Sequence, residues 1–350
     1  MDDMRHIRVM VTGAGSGVGQ GIMKSLRLSE LNLHIIAADI NWFQPALYRA
    51  DEALLIPRVE DLSSPKEMID ILTQNQIDIL LIGSEFEILF FSENRDEIEA
   101  KSGCRVVVSP PDTIRLSHDK FLTAKFLTDN DIAPSHFWAP SELDEALAIF
   151  DDFGMPMILK PRQGTSNRGV HIIYHRDDLI QHFDFVKAPM LQELLADPTA
   201  DLDMEYTCSF FRDADGMMFG PFTARRTLKN GASWIVEVDN FEIPAAMLMR
   251  IAQFVEVVGS FNVQLMMTSQ GAVPFEFNSR FSGTTAVRAE FGFNEPDMAI
   301  RSFLLGQKLS TPVIRKGLAF RYLEEVFIEG ASAKDLGVSV TGNGTLRHWF

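Results

Sequence analysis

The sequence predicts a doubly wound α/β domain followed by an α+β unit, and three observations predict it. Short β-rich runs alternate with amphipathic helical stretches over residues 5–110. Pro110-Pro111 then stops that rhythm, because two prolines in succession oppose both a helix and a central strand. Beyond them, long β-rich runs follow one another directly, as antiparallel neighbours do. A chain of 350 residues has the length for two to three packed units around a large core.

In the first half, strands are predicted at 7–11, 34–38, 53–56, 77–82 and 105–108, and helices at 18–29, 64–75 and 86–101. Strand–helix–strand alternation of this kind builds a parallel sheet. A helix over 112–130 follows the prolines, then a strand at 135–138, a helix over 141–152 and an apolar strand at 157–159. Further strands are predicted at 170–174 and 188–192 around a helix at 176–184, and β-rich runs at 204–212, 217–227 and 233–238. A helix over 242–257 precedes strands at 261–268 and 272–277, and one strand is expected over 318–327. The expected divisions are 1–110, a smaller subdomain over 111–190, a larger one over 191–310 and a closing segment over 311–350, with no internal repeat.

Lys and Arg number 32 against 48 Asp and Glu, a net charge of −16 with His neutral. That balance opposes a general affinity for nucleic acid or anionic membrane, so any phosphate site must be local. Cys104 and Cys208 are too few for a disulfide framework or a zinc cluster, and a reducing cytoplasm is the expected location. No stretch approaches the roughly 20 apolar residues of a membrane span, and residues 1–6 do not read as a secretory leader.

Residues 12–19, Thr-Gly-Ala-Gly-Ser-Gly-Val-Gly, run from a strand into a helix, and Asp39 stands twenty residues beyond Gly19. This spacing is similar to that of short-chain dehydrogenases, which bind NAD(P) through such a loop. Those enzymes need Tyr-x-x-x-Lys, however. Tyr48, Tyr174, Tyr206 and Tyr322 are followed four positions later by Glu52, Asp178, Phe210 and Val326. The alternative is a turn that packs the first helix on its strand or forms one wall of another cleft.

Four features of the second half fit together in order. Lys120 stands near the start of a helix, and Lys160 closes an apolar strand and opens the loop from Gly164 through Thr165 and Ser166 to Gly169. An ammonium and loop amides suit a terminal phosphate. Next come residues 190–195 with Glu193 and Leu195, a strand edge that offers backbone groups to a base, and then Glu205, whose carboxylate accepts from ribose hydroxyls. Last is Pro274-Phe275-Glu276-Phe277-Asn278-Ser279-Arg280. Strand alternation puts Glu276, Asn278 and Arg280 on one face and Phe275 and Phe277 toward the core, with Gln264 joining the first face if the preceding strand pairs here. One carboxylate with amide oxygens suits Mg²⁺, and a guanidinium beside them offsets charge on a transferred phosphoryl group. Singly, the lysines read as solvated residues and the last strand as half-exposed.

Together these residues resemble the ATP-grasp superfamily, specifically the carbamoyl-phosphate synthetase large-subunit type with a single ATP-grasp unit. The resemblance implies a Rossmann-like pre-ATP-grasp domain followed by an α+β ATP-grasp fold. It implies that Lys120 and Lys160 contact ATP phosphates, that Gly164–Gly169 form the mobile flap, that Glu193 and Leu195 lie at the adenine hinge, and that Glu205 meets the ribose. Gln264, Glu276 and Asn278 match the metal ligands, for Mg²⁺ with Mn²⁺ as a substitute, and Arg280 matches the arginine that steadies an acyl-phosphate. The expected activity is an ATP-dependent ligase joining a small-molecule carboxylate to an amine or thiol, in a protein with no nucleic-acid or membrane partner and room for a homodimer. Asn278-Ser279-Arg280 replaces the family's usual Asn-Pro-Arg, and Gln264 stands where many members place a carboxylate. Arg225, Arg226 and Arg288 are candidates for holding the substrate. No His or Cys stands out as a nucleophile: His118 and His171 read as surface or supporting residues, and Cys208 as a buried strand residue. The remaining alternatives are an NAD(P)-dependent oxidoreductase and a nucleotide-binding protein without turnover.

Overall fold

The computed structural model describes residues 6–61, 65–133, 135–154, 156–164, 169–195, 205–269, 271–333 and 345–347. Five strands form a parallel sheet: β1 (Ile7–Thr12), β2 (Leu33–Asp39), β3 (Glu52–Leu55), β4 (Ile79–Ile82) and β5 (Arg105–Val107), in the order β3-β2-β1-β4-β5. Both faces are covered, so the central strands are apolar on both sides. Val9, Val11, Ile35 and Leu81 fill one core, and Met10, Ile36, Leu80 and Ile82 fill the other. The helices are α1 (Gly17–Arg27), α2 (Lys66–Gln74), α3 (Glu85–Glu93) and α4 (Arg95–Ser102). The helix predicted over 86–101 is therefore two, broken at Asn94, whose amide turns back to donate to the Phe90 carbonyl.

The helix predicted over 112–130 also divides, into α5 (Pro111–His118) and α6 (Lys120–Asp129). Asp119 is extended between them, and its carboxylate accepts from the amides of Phe121 and Leu122, so it starts a new helix instead of continuing the old one. Both helices pack on the large sheet described below, so the smaller subdomain's sheet begins after them. That sheet joins β6 (Phe137–Trp138), β7 (Met157–Pro161), β8 (His171–Ile173) and β9 (Pro189–Glu193) in the order β6-β9-β7-β8, antiparallel throughout. It is covered by α7 (Leu143–Phe153) and α8 (Arg176–His182) around Leu147, Leu159, Leu179 and Leu191.

The large sheet holds β10 (Glu205–Arg212), β11 (Met218–Lys229), β12 (Ala232–Val238), β13 (Gly259–Thr268), β14 (Gly271–Asn278) and β15 (Gly317–Phe320), in the order β14-β13-β10-β11-β12-β15. One face buries Tyr206, Cys208, Phe210, Phe261, Val263 and Phe277 against α9 (Glu242–Ile251). The helix predicted to reach residue 257 stops early because the Arg212 guanidinium takes the carbonyls of Ala252 and Val255. Two short helices, α10 (Thr285–Glu290) and α11 (Glu295–Ala299), dock on α1. Phe211, Phe222, Val236, Phe281 and Phe293 share one core with Val9, Ile22 and Leu26, so the first domain and the large sheet are a continuous body.

The strand predicted over 318–327 is corrected. β15 ends at Phe320, where Arg321 bonds the carbonyls of Ser233 and Trp234 through its side chain and amide, and β16 (Phe327–Glu329) pairs separately with β17 (Thr345–Arg347). Among the described residues no helix is long and apolar enough to cross a membrane.

Buried Glu87 on α3 carries a stability cost. Its Oε2 and the neighbouring Thr12 hydroxyl have no hydrogen-bond partner among the described residues. Burial, opposed by the adjacent Thr12 hydroxyl and reinforced by Asp39 and Glu60, pushes its carboxyl pKa up to about 7. The folded state therefore binds a proton that the unfolded chain releases near its ordinary carboxyl value, and stability falls as pH rises through the interval between the two. Glu87→Gln is expected to stabilise the protein by roughly 3 kcal/mol at and above neutrality, with the difference vanishing in acid, as urea melts across pH will read.

Candidate active site

The site begins with an irregularity in β14. Gln264 pairs with Glu276 and Asn262 with Asn278, but Leu265 pairs with Pro274, so Phe275 is an extra residue that re-phases the strand. Before the bulge Ala272 faces the α9 core, and after it Phe277 does. Phe275, expected in that core beside Phe277, sits on the bulge and is half-buried instead. The shift gathers Gln264, Glu276 and Asn278 on the opposite face. There the Asn278 amide donates to Glu276 Oε1 at 3.1 Å and the Gln264 amide to the same oxygen at 3.4 Å.

Across from them, at the end of β7, Lys160 is 7% exposed and donates from Nζ to Gln192 Oε1 at 2.6 Å. Burial, reinforced by the like charge of Lys120 and opposed by the Glu276 carboxylate, pushes its ammonium pKa down to about 8. Lys120 and Glu276, from α6 and β14, are thus close enough to the buried Lys160 at the end of β7 to act on its charge. Lys120 Nζ donates to the Gly164 carbonyl at 2.9 Å, so the first lysine already touches the loop that the second one opens. Gly164 and Gly169 have φ of +142° and +72°, which glycine adopts without strain. Thr165 and Ser166 lie outside the described residues. Arg162 ties this loop down, pairing with Asp119 at 2.5 Å beneath the start of α6.

Two residues that sequence reasoning did not place here come from α3 of the first domain and from α5. Arg280 Nη2 donates to Glu85 Oε2 at 2.8 Å, across the junction from α3. His118 Nε2 lies 3.6 Å from the other oxygen of Glu85. Burial holds the imidazole pKa below its ordinary value, with the charges of Arg280 and Lys120 adding to the effect and Glu85 opposing it. His118 is thus a partly buried residue beside the Glu85–Arg280 pair, the supporting place of the two expected for it. Its only sequence signal was its place two residues before Lys120. Cys208 is buried on β10, where desolvation pushes its thiol up to about 12, which excludes a thiolate nucleophile.

The glycine loop of the first domain is filled by its own packing. Gly13 has φ +52°, and a Cβ there would lie 2.6 Å from Ser84 Cβ, while one on Gly19 would lie 2.4 Å from the Gly13 carbonyl oxygen. Ser16 caps α1 through the Gly19 amide and donates to the Gly83 carbonyl. Asp39 accepts from the amides of Gly15 and Ile40 and is buried, so it is not presented to a ribose. The loop holds α1 against the turn that delivers Glu85.

Of the arginines singled out for substrate, only one faces the cleft side of its strand. Arg226 donates from Nε and Nη2 to Glu205 Oε1 at 2.9 and 2.6 Å. Arg225, one position earlier, points to the other face, pairs with Glu237 and lies over Phe241. Arg288 is fully buried, paired with the fully buried Glu295 at 2.9 Å and bonded to Asn262 and Ser282. It is corrected from a substrate contact to a support beneath β13. Glu193 is bonded through its side chain to the His136 amide and imidazole, and Leu195 follows at the end of the β9 hinge.

Residues 9–107 match the family model described as the PylC-like N-terminal domain, and residues 125–284 match the ATP-grasp domain model. Formate-dependent phosphoribosylglycinamide formyltransferase from Wigglesworthia glossinidia brevipalpis is 24% identical over 85% of this chain and 75% of its own length. Carbamoyl phosphate synthase large chain from Pseudothermotoga lettingae is 21% identical over 88% of this chain, which spans only 29% of that relative. Among solved structures, carboxyaminoimidazole ribonucleotide synthase from Aspergillus clavatus complexed with ATP superposes with a TM-score of 0.70 at 16% identity, over 93% of this chain and 83% of that one.

Removing the Arg288 side chain leaves Glu295 charged, buried and unmatched. Arg288→Ala is expected to lower unfolding free energy by about 3–5 kcal/mol in urea melts, as loss of one partner of a buried pair does.

Proposed function

Because this chain carries a PylC-like N-terminal domain followed by an ATP-grasp domain, we propose that it is an ATP-dependent ligase. It activates a small-molecule carboxylate as an acyl-phosphate and joins it to an amine or thiol, releasing ADP and phosphate. The observation that carries this reading is the convergence of Lys120 and Glu276 on the buried Lys160 ammonium, with Arg280 two residues beyond the amide and acid ligand set.

The γ-phosphate of ATP lies against Lys120 and Lys160, under the flap from Gly164 through Thr165 and Ser166 to Gly169. The adenine lies at the Glu193–Leu195 hinge, and the ribose at Glu205, which Arg226 orients. One carboxylate and two amide oxygens, from Glu276, Gln264 and Asn278, fit a hard octahedral cation that completes its shell with phosphate oxygens and water. Mg²⁺ held by these residues, or Mn²⁺ in its place, would neutralise charge on the transferred phosphoryl group. A carboxylate oxygen of the substrate attacks the γ-phosphorus, and the bond to ADP breaks with its electron pair on ADP. The nucleophile then attacks the acyl carbon and inorganic phosphate departs. Lys160 and Arg280 stabilise negative charge on the transferred group, so positioning and electrostatics carry most of the rate. Arg226 is the remaining candidate for substrate recognition.

Titration calorimetry is expected to detect binding of ATP with Mg²⁺ and none of NAD⁺. Phosphate release on mixtures of candidate carboxylates and amines is expected from the wild type, and Glu276→Ala should lose about 100-fold or more. Full activity in that variant overturns the metal assignment. Because the ammonium of Lys160 is charged only below about pH 8 in the free protein, ATP affinity should weaken as pH rises through that value, by up to tenfold per pH unit, and Lys160→Arg should flatten the dependence.

A further inference from the structure

The cleft contains a group for which phosphate transfer has no use. His118 closes α5 directly before the break at Asp119. The charged groups that face its ring come from three separate elements: Glu85 on α3, Arg280 just past β14, and Lys120 on α6. Two of these neighbours, Lys120 and Arg280, are the cations placed on ATP phosphate and acyl-phosphate. The third, Glu85, lies 3.6 Å from Nε2 and holds Arg280 with its other oxygen at 2.8 Å. Among the described residues Nδ1 makes no hydrogen bond, and the side chain keeps 28% of its surface open. A carboxylate facing Nε2 favours the tautomer with its proton there, which leaves the Nδ1 lone pair able to accept a proton.

We infer that His118 is the general base of the second half-reaction, accepting at Nδ1 the proton that an attacking amine must lose, with Glu85 setting its tautomer. The inference rests on the ligase reading. The amine nitrogen forms a bond to the acyl carbon, the carbon–oxygen bond to phosphate breaks with its electron pair leaving on phosphate, and the ammonium proton passes to Nδ1. Imidazolium then stands between Glu85 and the departing phosphate. Because the ring is held neutral at physiological pH by burial and its cationic neighbours, the base form is present before the amine arrives, and amide formation falls as pH drops through the imidazole pKa.

The test divides the two half-reactions. Hydroxylamine, mostly unprotonated at neutral pH, traps an acyl-phosphate as a hydroxamate without a base. Wild type and His118→Gln are compared with ATP, Mg²⁺ and a panel of carboxylates, each offered an amine or hydroxylamine. The expected result is an amide-to-hydroxamate ratio about 100-fold lower in the variant, with the acid limb of the pH–rate profile for amide formation lost. Free imidazole added to His118→Ala should restore part of the ratio, and thermal melts of both variants check that they fold. An unchanged ratio, or the same acid limb in the variant, overturns the inference while leaving the ligase reading standing. Hydroxamate from no carboxylate in the wild type overturns the ligase reading and the inference with it.

Discussion

The single interruption in the register of β13 and β14 determines what the cleft contains. Up to Pro274 the two strands run with even-numbered residues of β14 toward α9, and the extra residue at Phe275 exchanges the faces. Without it, Glu276 and Asn278 would turn into the apolar layer with Phe261 and Val263, where a carboxylate has no partner and a large desolvation penalty. With it, they line the cleft beside Gln264. The strand is held in that register from below. Asn262, opposite Asn278, is bonded by Thr207 and Arg288, and Arg288 is locked by Glu295, which also accepts from Ser209 and Ser260. This buried polar network spans β10, β13, α10 and α11 and fixes β13, the strand against which β14 takes its register.

Against that floor the protein assembles several cations, and like charges must be kept from expelling one another. Each basic side chain rests on its own partner: Lys160 on the Gln192 amide oxygen, Lys120 on the Gly164 carbonyl, Arg226 on Glu205 and Arg280 on Glu85. Lys160 bears the burial most directly, which is why its ammonium is the one held far below its ordinary range. Groups fixed in this manner need little reorganisation when they meet a negative charge.

The first domain is part of the same machine. Its glycine loop, tightly packed on Ser84 and on its own backbone, holds α1 and the β4–α3 turn together and so fixes where Glu85 begins. Because α1 docks on α10 and α11 and the two cores merge, Glu85 reaches Arg280 across a junction packed into one core.

Much of this was legible in the sequence. The alternation of strands and helices over residues 5–110 is a local property of apolar spacing, and it determined the parallel sheet. Lys160 closing an apolar strand before a glycine-bounded loop, and the Glu276-x-Asn278-x-Arg280 run, carry their chemistry in residue type and period. What the tertiary structure alone decided was which groups meet. No spacing rule joins Glu85 to Arg280 across 195 residues, separates Arg225 from Arg226 by face, or sends Arg288 inward to Glu295. The break at Asp119 was hidden because a helical pattern continues on both sides of it, and the bulge at Phe275 because apolar residues stand on both sides of the slip. Periodicity reports the face a residue occupies within its own element. Which charge lies opposite depends on how separate elements dock, and that is settled by burial summed over the whole core.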